Sequence, residues 1–486
     1  MKLLIIGMDG GHVDAFRRGW TPYMESLLTS GVQTEMNEDL VGRGWSKIIT
    51  GEDGSKTGAI YDRPELNGTH EWSLRFKLDD IPGIGRETKT LWDKIGDRGY
   101  RVGIMNVPTA FPAPEVNGFF VSGGGGGGPV LQDPTEDLCY PRDIHSYLME
   151  MGYIVDERLG SMIAEKGIYD ADAFFQRLIR KNGKRAESFI ELSQRFDIDF
   201  GFVVFKSSSN MAEFLLLPEL KAAQSAGQNE LSELTSAIKT YYEAFDGQVK
   251  HLCESFPDAE VLFVSDHGMA AREWSFNPNA LLQEVGLQKP SRRNRGTFEL
   301  VRFAKKLIPF SLRVAIRNNK NVKKAYESLV TFDSQGSQAF STLIGDWRHG
   351  VYVNDDERFG GPVPASQKDT VQADIIDAIS RHPEAIKHGV TASPRPNAGA
   401  QGSPHFPDVV LHVPDGYISS GDFNQSFRKF DMPPWPHEIA SVTRGQLLCG
   451  KASNAMAVCV RGEWDPSLDA QDLTLIHHHA LSRFPE

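Results

Sequence analysis

The sequence predicts an α/β fold with a mostly parallel central sheet and helices on both faces. Two observations predict it. Residues 3–8, 101–105, 200–205 and 261–265 are short runs dominated by β-branched and other apolar side chains, with little alternation. Strands buried on both faces of a parallel sheet have this composition. Between the runs lie amphipathic stretches, at 22–28, 90–96, 172–194 and 230–255, whose apolar residues recur at helical spacing. Alternation of the two patterns predicts a doubly wound sheet, in which ligands bind beyond the carboxyl ends of the strands.

Bulk properties bound the answer further. A chain of 486 residues can bury a large core and still carry an insertion. An apolar fraction of 40% and a charged fraction of 24% exclude wholesale disorder. The net charge of −12 disfavours nucleic acid as a partner of the whole surface. Cys139, Cys253, Cys449 and Cys459 form no CxxC pair, which argues for a reduced, cytoplasmic setting and against a disulfide framework or a thiolate zinc site. The first apolar run ends at Asp9, too soon for a signal peptide. No run approaches the roughly 20 apolar residues of a membrane span.

Residues 1–287 and 332–486 read as one α/β domain, and 288–331 as a basic helical insertion. Within it, residues 292–324 hold eleven Lys or Arg against the single acid Glu299, a pattern that reads first as a solvated helical face and second as an anion-binding one. The six glycines at 123–128 lack the Lys-Ser/Thr ending of a phosphate-binding P-loop and read as a plain loop. Residues 350–354 and 407–411 return to strand patterns. The run His477-His478-His479 reads as the end of a surface helix.

Three segments that directly follow a strand carry candidate chemistry: Asp9-Gly10, residues 206–213, and Asp266-His267-Gly268. Two carboxylates and an imidazole at one sheet edge suit a divalent ion such as Zn²⁺ or Mn²⁺, with a position left for a substrate oxygen. Arg43 stands at a predicted helix start, where a guanidinium suits bidentate binding of phosphate or carboxylate, or forms a structural salt bridge.

Leu4-Ile5-Ile6-Gly7-Met8-Asp9-Gly10 resembles the opening strand of the type I phosphodiesterase/nucleotide pyrophosphatase family, a branch of the alkaline phosphatase superfamily. Val264-Ser265-Asp266-His267-Gly268-Met269 is similar to a metal-ligand strand of the same family. Trp45 with Thr50-Gly51 and Gly58 resembles the segment after the family nucleophile. Asn106-Val107-Pro108, Asn277-Pro278-Asn279 and Pro407-Asp408-Val409-Val410 continue the likeness in order.

The resemblance implies two divalent metals. One site maps to Asp9, Asp266 and His267. The other, built after the middle strand, maps to Ser209 and Glu213 with a late histidine at His437. Ser209 stands where the family has Asp, so one ion is expected more than two. Valine stands at the nucleophile position, Val41, which leaves Ser46 as the nearest hydroxyl or an attacking water in its place. The expected function is metal-dependent hydrolysis of phosphodiester or related anionic esters, with a small anionic substrate as partner. Two alternatives stand beside it. One is a non-catalytic descendant that binds an anionic ligand in the old cleft. The other is sulfate-ester or phosphonate hydrolysis, or group transfer, on the same scaffold.

Overall fold

A computed structural model describes residues 1–11, 13–60, 63–73, 78–81, 83–123, 134–156, 171–208, 233–291, 332–342, 349–396, 402–419, 425–430, 449–468 and 471–486. The basic segment 292–324, the glycines 124–128, Ser209, Glu213 and His437 lie outside the described residues.

The strands that matter for the site are β1 (Leu3–Met8), β2 (Val32–Gln33), β3 (Val102–Met105), β4 (Gly118–Val121), β5 (Cys139–Tyr140), β6 (Phe200–Phe205), β7 (Glu260–Val264) and β8 (Gly268–Ala271). They are followed by β9 (Ala339–Ser341), β10 (His349–Val353), β11 (Thr391–Pro394), β12 (Val409–His412), β13 (Cys449–Ala452) and β14 (Ala457–Arg461). The principal helices are α1 (Pro22–Ser30), α2 (Gly44–Thr50), α3 (Leu91–Asp97), α4 (Ala171–Phe196), α5 (Glu233–Ser255), α6 (Lys368–Arg381) and α7 (Thr474–Ser482).

Eight strands form the main sheet in the order β2-β14-β7-β1-β6-β3-β4-β5. The five central strands, β7 to β4, pair in parallel, and the outer pairings are antiparallel. β1 lies at the centre and is buried along its whole length. Its alternate side chains enter two cores, because successive residues of a strand point to opposite faces. Leu4, Ile6 and Met8 pack with Met24 and Leu28 of α1, Leu178 of α4 and Phe245 of α5. Leu3 and Ile5 pack with Ile48 and Ile49 of α2, Trp92 of α3 and Ile476 of α7. Helices therefore cover both faces, and the near-continuous apolar runs of the sequence follow from that double burial.

The predicted helices hold with small shifts at their ends. Thr90 caps α3 through a reciprocal pair of bonds with Asp93, which places the start of the helix one residue after the start of the amphipathic pattern.

A second, four-stranded antiparallel sheet has the order β9-β10-β12-β11. Val351, Val353, Val409 and Leu411 pack there against Ile375 and Ile379 of α6. On the opposite face, Val410 joins Phe406, Ile60 and Val41 in a small apolar cluster. Among the described residues no helix is long and apolar enough to cross a membrane, and the four cysteines are buried and form no disulfide.

The histidine run departs from expectation. His477 and His479 are fully buried on α7. His477 donates from Nδ1 to the Ile48 carbonyl at 3.0 Å, and His479 donates from Nε2 to Glu260 at 2.8 Å. His477 and His479 therefore belong to the packing of α7 against the sheet and α2, whereas His478 is exposed. Sequence pattern alone misreads these two because a run of polar residues on a short helix resembles a solvated face, as it does at His478.

Candidate metal centre

The site grows from the parallel register of three adjacent strands. Gly7 of β1 pairs with Val264 of β7, and Met8 pairs with Phe205 of β6. The residues that follow, Asp9, Asp266 and Lys206, therefore leave the sheet side by side at its carboxyl edge. Asp9 stays in line because its amide donates to the Phe205 carbonyl at 3.2 Å. Ser208 donates from Oγ to the Asp9 carbonyl at 2.7 Å, which ties the end of β6 to the end of β1.

Asp9, Asp266 and His267 are all buried, and each presents a ligand atom within 4.8 Å of the others. Gly10 turns back with a φ of 60°, a left-handed conformation that suits glycine, and its amide donates to Asp266 Oδ1 at 3.2 Å. The Trp45 indole donates to Asp9 Oδ2 at 3.0 Å. His267 donates from Nδ1 to the Gly268 carbonyl at 2.7 Å. A carbonyl can only accept, so this bond sets the tautomer and leaves the Nε2 lone pair 3.4 Å from Asp266 Oδ2. Ser265 secures the backbone by donating to the His267 carbonyl while accepting the Met456 amide.

Electrostatics bear on whether the residues fit a cation. Burial raises the Asp9 carboxyl above the usual carboxylate range, and the neighbouring Asp266 charge raises it further. Lys206, His267 and Lys451 act in the opposite direction. Two buried like charges beside a correctly presented imidazole lone pair form an environment that a divalent ion relieves, and the donor set of two oxygens and one nitrogen fits zinc or manganese.

Helix α2 closes the edge. Gly44 sits so close to Asp266 that a Cβ would lie 2.3 Å from the Asp266 carbonyl oxygen. Arg43, the residue before the helix, is buried and donates from Nε to the Ile60 carbonyl at 3.1 Å. Ser46 is buried in the first turn, and its Oγ has no hydrogen-bond partner among the described residues. At roughly 100° per residue it lies about 200° around the helix from Gly44. Val41 is buried in the apolar cluster with Ile60, Phe406 and Val410. The positions of Glu213 and His437 relative to this centre lie outside the described residues.

Sequence reasoning placed Lys206 at the start of the candidate segment 206–213 without giving it a role, and passed over Lys451 and the Trp45 contact. Lys206 carried a usable signal, since it directly follows a buried strand. Lys451 carried none, because β13 reaches the site only through its pairing with β8, where Lys451 is opposite Met269.

Fold and site together define an α/β protein with a candidate cation centre at the carboxyl edge of a mostly parallel sheet. The family model for type I phosphodiesterase/nucleotide pyrophosphatase matches residues 3–432, and the chain belongs to that family. Phosphonoacetate hydrolase from Sinorhizobium meliloti, solved with phosphonoformate, is similar in fold at a TM-score of 0.54 and 13% identity, covering 99% of this chain and 96% of that one. The alkaline phosphatase PafA gives a TM-score of 0.47 at 12% identity over 99% and 95% of the two chains. Murine ectonucleotide pyrophosphatase/phosphodiesterase 5, solved with AMP, gives 0.44 at 11% identity over 94% and 87%. No curated protein sequence matches the chain.

Proposed function

We propose that this protein is a metal-dependent hydrolase of phosphodiester or related anionic esters, working with one divalent ion, zinc or manganese, at Asp9, Asp266 and His267. The observation that carries the reading is the convergence of these three buried side chains at one point of the sheet edge. A divalent ion held there supplies Lewis acidity toward a phosphoryl, phosphonyl or sulfuryl oxygen.

The chain's own residues prepare the site. The Trp45 indole and the Gly10 amide fix one oxygen of each carboxylate, and the Gly268 carbonyl fixes the imidazole tautomer. Val41 offers neither a hydroxyl nor a ligand atom, so no phosphoenzyme forms there. Ser46 lies on a different side of α2 from the residue that abuts Asp266, which favours water over Ser46 as the attacking group. The buried cysteines, which form no disulfide, suit a cytoplasmic setting.

The test is metal analysis of the purified protein together with a screen of phosphomonoesters, phosphodiesters, phosphonates and sulfate esters. About one zinc or manganese per chain, lost in Asp266→Ala, is the expected result. Metal content unchanged by Asp266→Ala would overturn the site. Bound metal without turnover of any ester would leave a binding protein in place of a hydrolase.

A further inference from the structure

The peptide unit between Asp9 and Gly10 is held from both sides by side chains. β1 ends in a tight turn over residues 8–11, in which the Gly11 amide donates to the Met8 carbonyl at 2.6 Å and Gly10 takes its left-handed φ of 60°. On one side the Gly10 amide donates to Asp266 Oδ1 at 3.2 Å. On the other, the Asp9 carbonyl accepts from Ser208 Oγ at 2.7 Å. The two polar ends of a trans peptide point in opposite directions, so this one plane bridges the ends of β6 and β7. Ser208 is buried, and its Oγ also lies 3.0 Å from the Phe205 carbonyl, an oxygen that already accepts the Asp9 amide. Beside it, Ser207 donates to Asn182 Oδ1 at 2.6 Å, and Asn182 donates from Nδ2 to the Tyr241 hydroxyl at 3.2 Å. Asn182 and Tyr241 are fully buried on α4 and α5, so the serine pair is fastened to the interior.

We propose that Ser208 is a positioning residue of the metal centre, acting through the Asp9–Gly10 peptide to set the carboxylates of both Asp9 and Asp266. Glycine at position 10 makes such a hold necessary. It populates φ of either sign at little cost, so the plane is kept in place by its hydrogen bonds and not by a Cβ. Without the Ser208 donor, the buried Asp9 carbonyl has no donor among the described residues, and an orphaned buried acceptor is costly. The plane then turns to find a partner. As it turns, the Gly10 amide leaves Asp266 Oδ1, and that carboxylate loses a charge-assisted bond. A fully inverted plane would aim the Asp9 carbonyl, a partial negative charge, toward the same carboxylate. Trp45 holds one oxygen of Asp9 but does not hold the backbone from which the side chain starts. The inference rests on the reading of Asp9, Asp266 and His267 as a metal centre, and it adds a residue that works on two ligands through the main chain.

The experiment compares the full wild-type chain with Ser208→Ala, Ser208→Thr and Ser337→Ala in three measurements. They are zinc affinity by competition with a chelating dye, the visible spectrum of the cobalt-substituted protein, and hydrogen exchange of the Gly10 amide in the metal-free chain, localised by fragmentation mass spectrometry. Ser208→Ala should weaken zinc about 10- to 100-fold, alter the cobalt bands, which report ligand geometry, and speed exchange at Gly10. Ser208→Thr keeps the hydroxyl and should bring all three back toward wild type. Ser337→Ala removes a comparably buried hydroxyl, one that donates to the Asp333 carbonyl at 2.6 Å, and should lower stability without moving any of the three.

Zinc affinity and cobalt bands unchanged in Ser208→Ala would overturn the proposal. So would an equal loss in Ser337→Ala, which would trace the effect to general stability. Fast exchange of the Gly10 amide in the wild type would overturn it without any variant. If the wild type binds neither zinc nor cobalt, the metal reading falls and exchange alone decides the peptide contact: a faster rate at Gly10 in Ser208→Ala sustains it, and an unchanged rate removes it.

Discussion

Replacement of Gly44 by alanine sets two effects of opposite sign against each other. A Cβ at this position would lie 2.3 Å from the Asp266 carbonyl oxygen, 2.9 Å from the Asp266 Cα and 2.7 Å from Leu473 Cδ1. The leucine methyl can rotate away. The Asp266 backbone cannot do so cheaply, because Ser265 and Gly10 hold the segment on both sides. Overpacking of this kind costs about 1–3 kcal/mol. Alanine in a helix gains at most about 0.5–1 kcal/mol over glycine, and less at the first helical position. The clash wins, and the net loss should be about 1–2 kcal/mol. For a chain of 486 residues the unfolding entropy near Tm is about 1 kcal/mol per kelvin, so the thermal shift is only about 1–2 °C. Denaturant unfolding followed by Trp fluorescence is the better assay, paired with zinc content. The control is Gly247 in α5, where a Cβ meets nothing within 4 Å. Gly247→Ala should stabilise by about 0.5–1 kcal/mol. Gly44→Ala should also lower zinc occupancy, because α2 can accommodate the methyl only by displacing Asp266. If both variants stabilise and zinc content holds, the close seating of α2 on Asp266 is refuted.

Other outcomes follow from the same contacts. Trp45→Phe deletes the donor to Asp9 and should weaken metal affinity about 10- to 100-fold, measured by competition with a chelating dye. Ser46→Ala should leave turnover of an active substrate within a few-fold, and a chiral phosphorothioate should show a single inversion; loss of turnover with net retention would return Ser46 to the role of nucleophile. Glu38 should produce a pH dependence of stability. Its buried carboxyl is pushed up to about 7 by burial, despite the attraction of Lys47, so the folded state holds a proton that the unfolded chain releases near 4.5. That contribution is complete below about pH 4.5 and is lost as pH rises through 7, a difference of roughly 3 kcal/mol. Glu38→Gln should flatten the unfolding profile across this window, and an unchanged slope would place the titration elsewhere.

The parallel core was legible because double burial leaves a plain trace: β1, β6 and β7 read as apolar at nearly every position, and each is followed by a polar residue that the sheet cannot bury without a purpose. Asp9 and Asp266-His267 were visible for that reason. The register that places Lys206 beside Asp9 was not, since strand order depends on crossovers that no local pattern encodes. Lys451 was hidden more deeply, as it arrives on an antiparallel pairing between segments about 180 residues apart in sequence. The His477 misreading has a different cause. Burial of a histidine depends on what packs over it, and here the cover is α2, more than 400 residues earlier in the chain.

That cover also shows what α2 does in this member of the family. The helix is tethered on several sides by buried polar contacts. Lys47 is surrounded by Glu38 at 2.9 Å, Asp39 at 3.2 Å and Asp53 at 3.5 Å. Glu38 in turn accepts the Leu473 amide just ahead of α7. At the other end, Lys94 donates to His477 Nε2 at 2.8 Å and to the Thr50 carbonyl at 3.2 Å. Burial and the Lys94 charge hold His477 neutral, with its pKa pushed down to about 3, so the ring accepts from lysine at one nitrogen while it donates to Ile48 at the other. A helix that carried an attacking hydroxyl would need its first turn aimed at the substrate. Here the first turn is spent on Gly44 against Asp266 and Trp45 against Asp9, and the rest anchors those two contacts to α3 and α7. The helix that follows the nucleophile position, Val41, is thus tied to both carboxylates through its first turn, an arrangement in keeping with the proposal above that water is the attacking group.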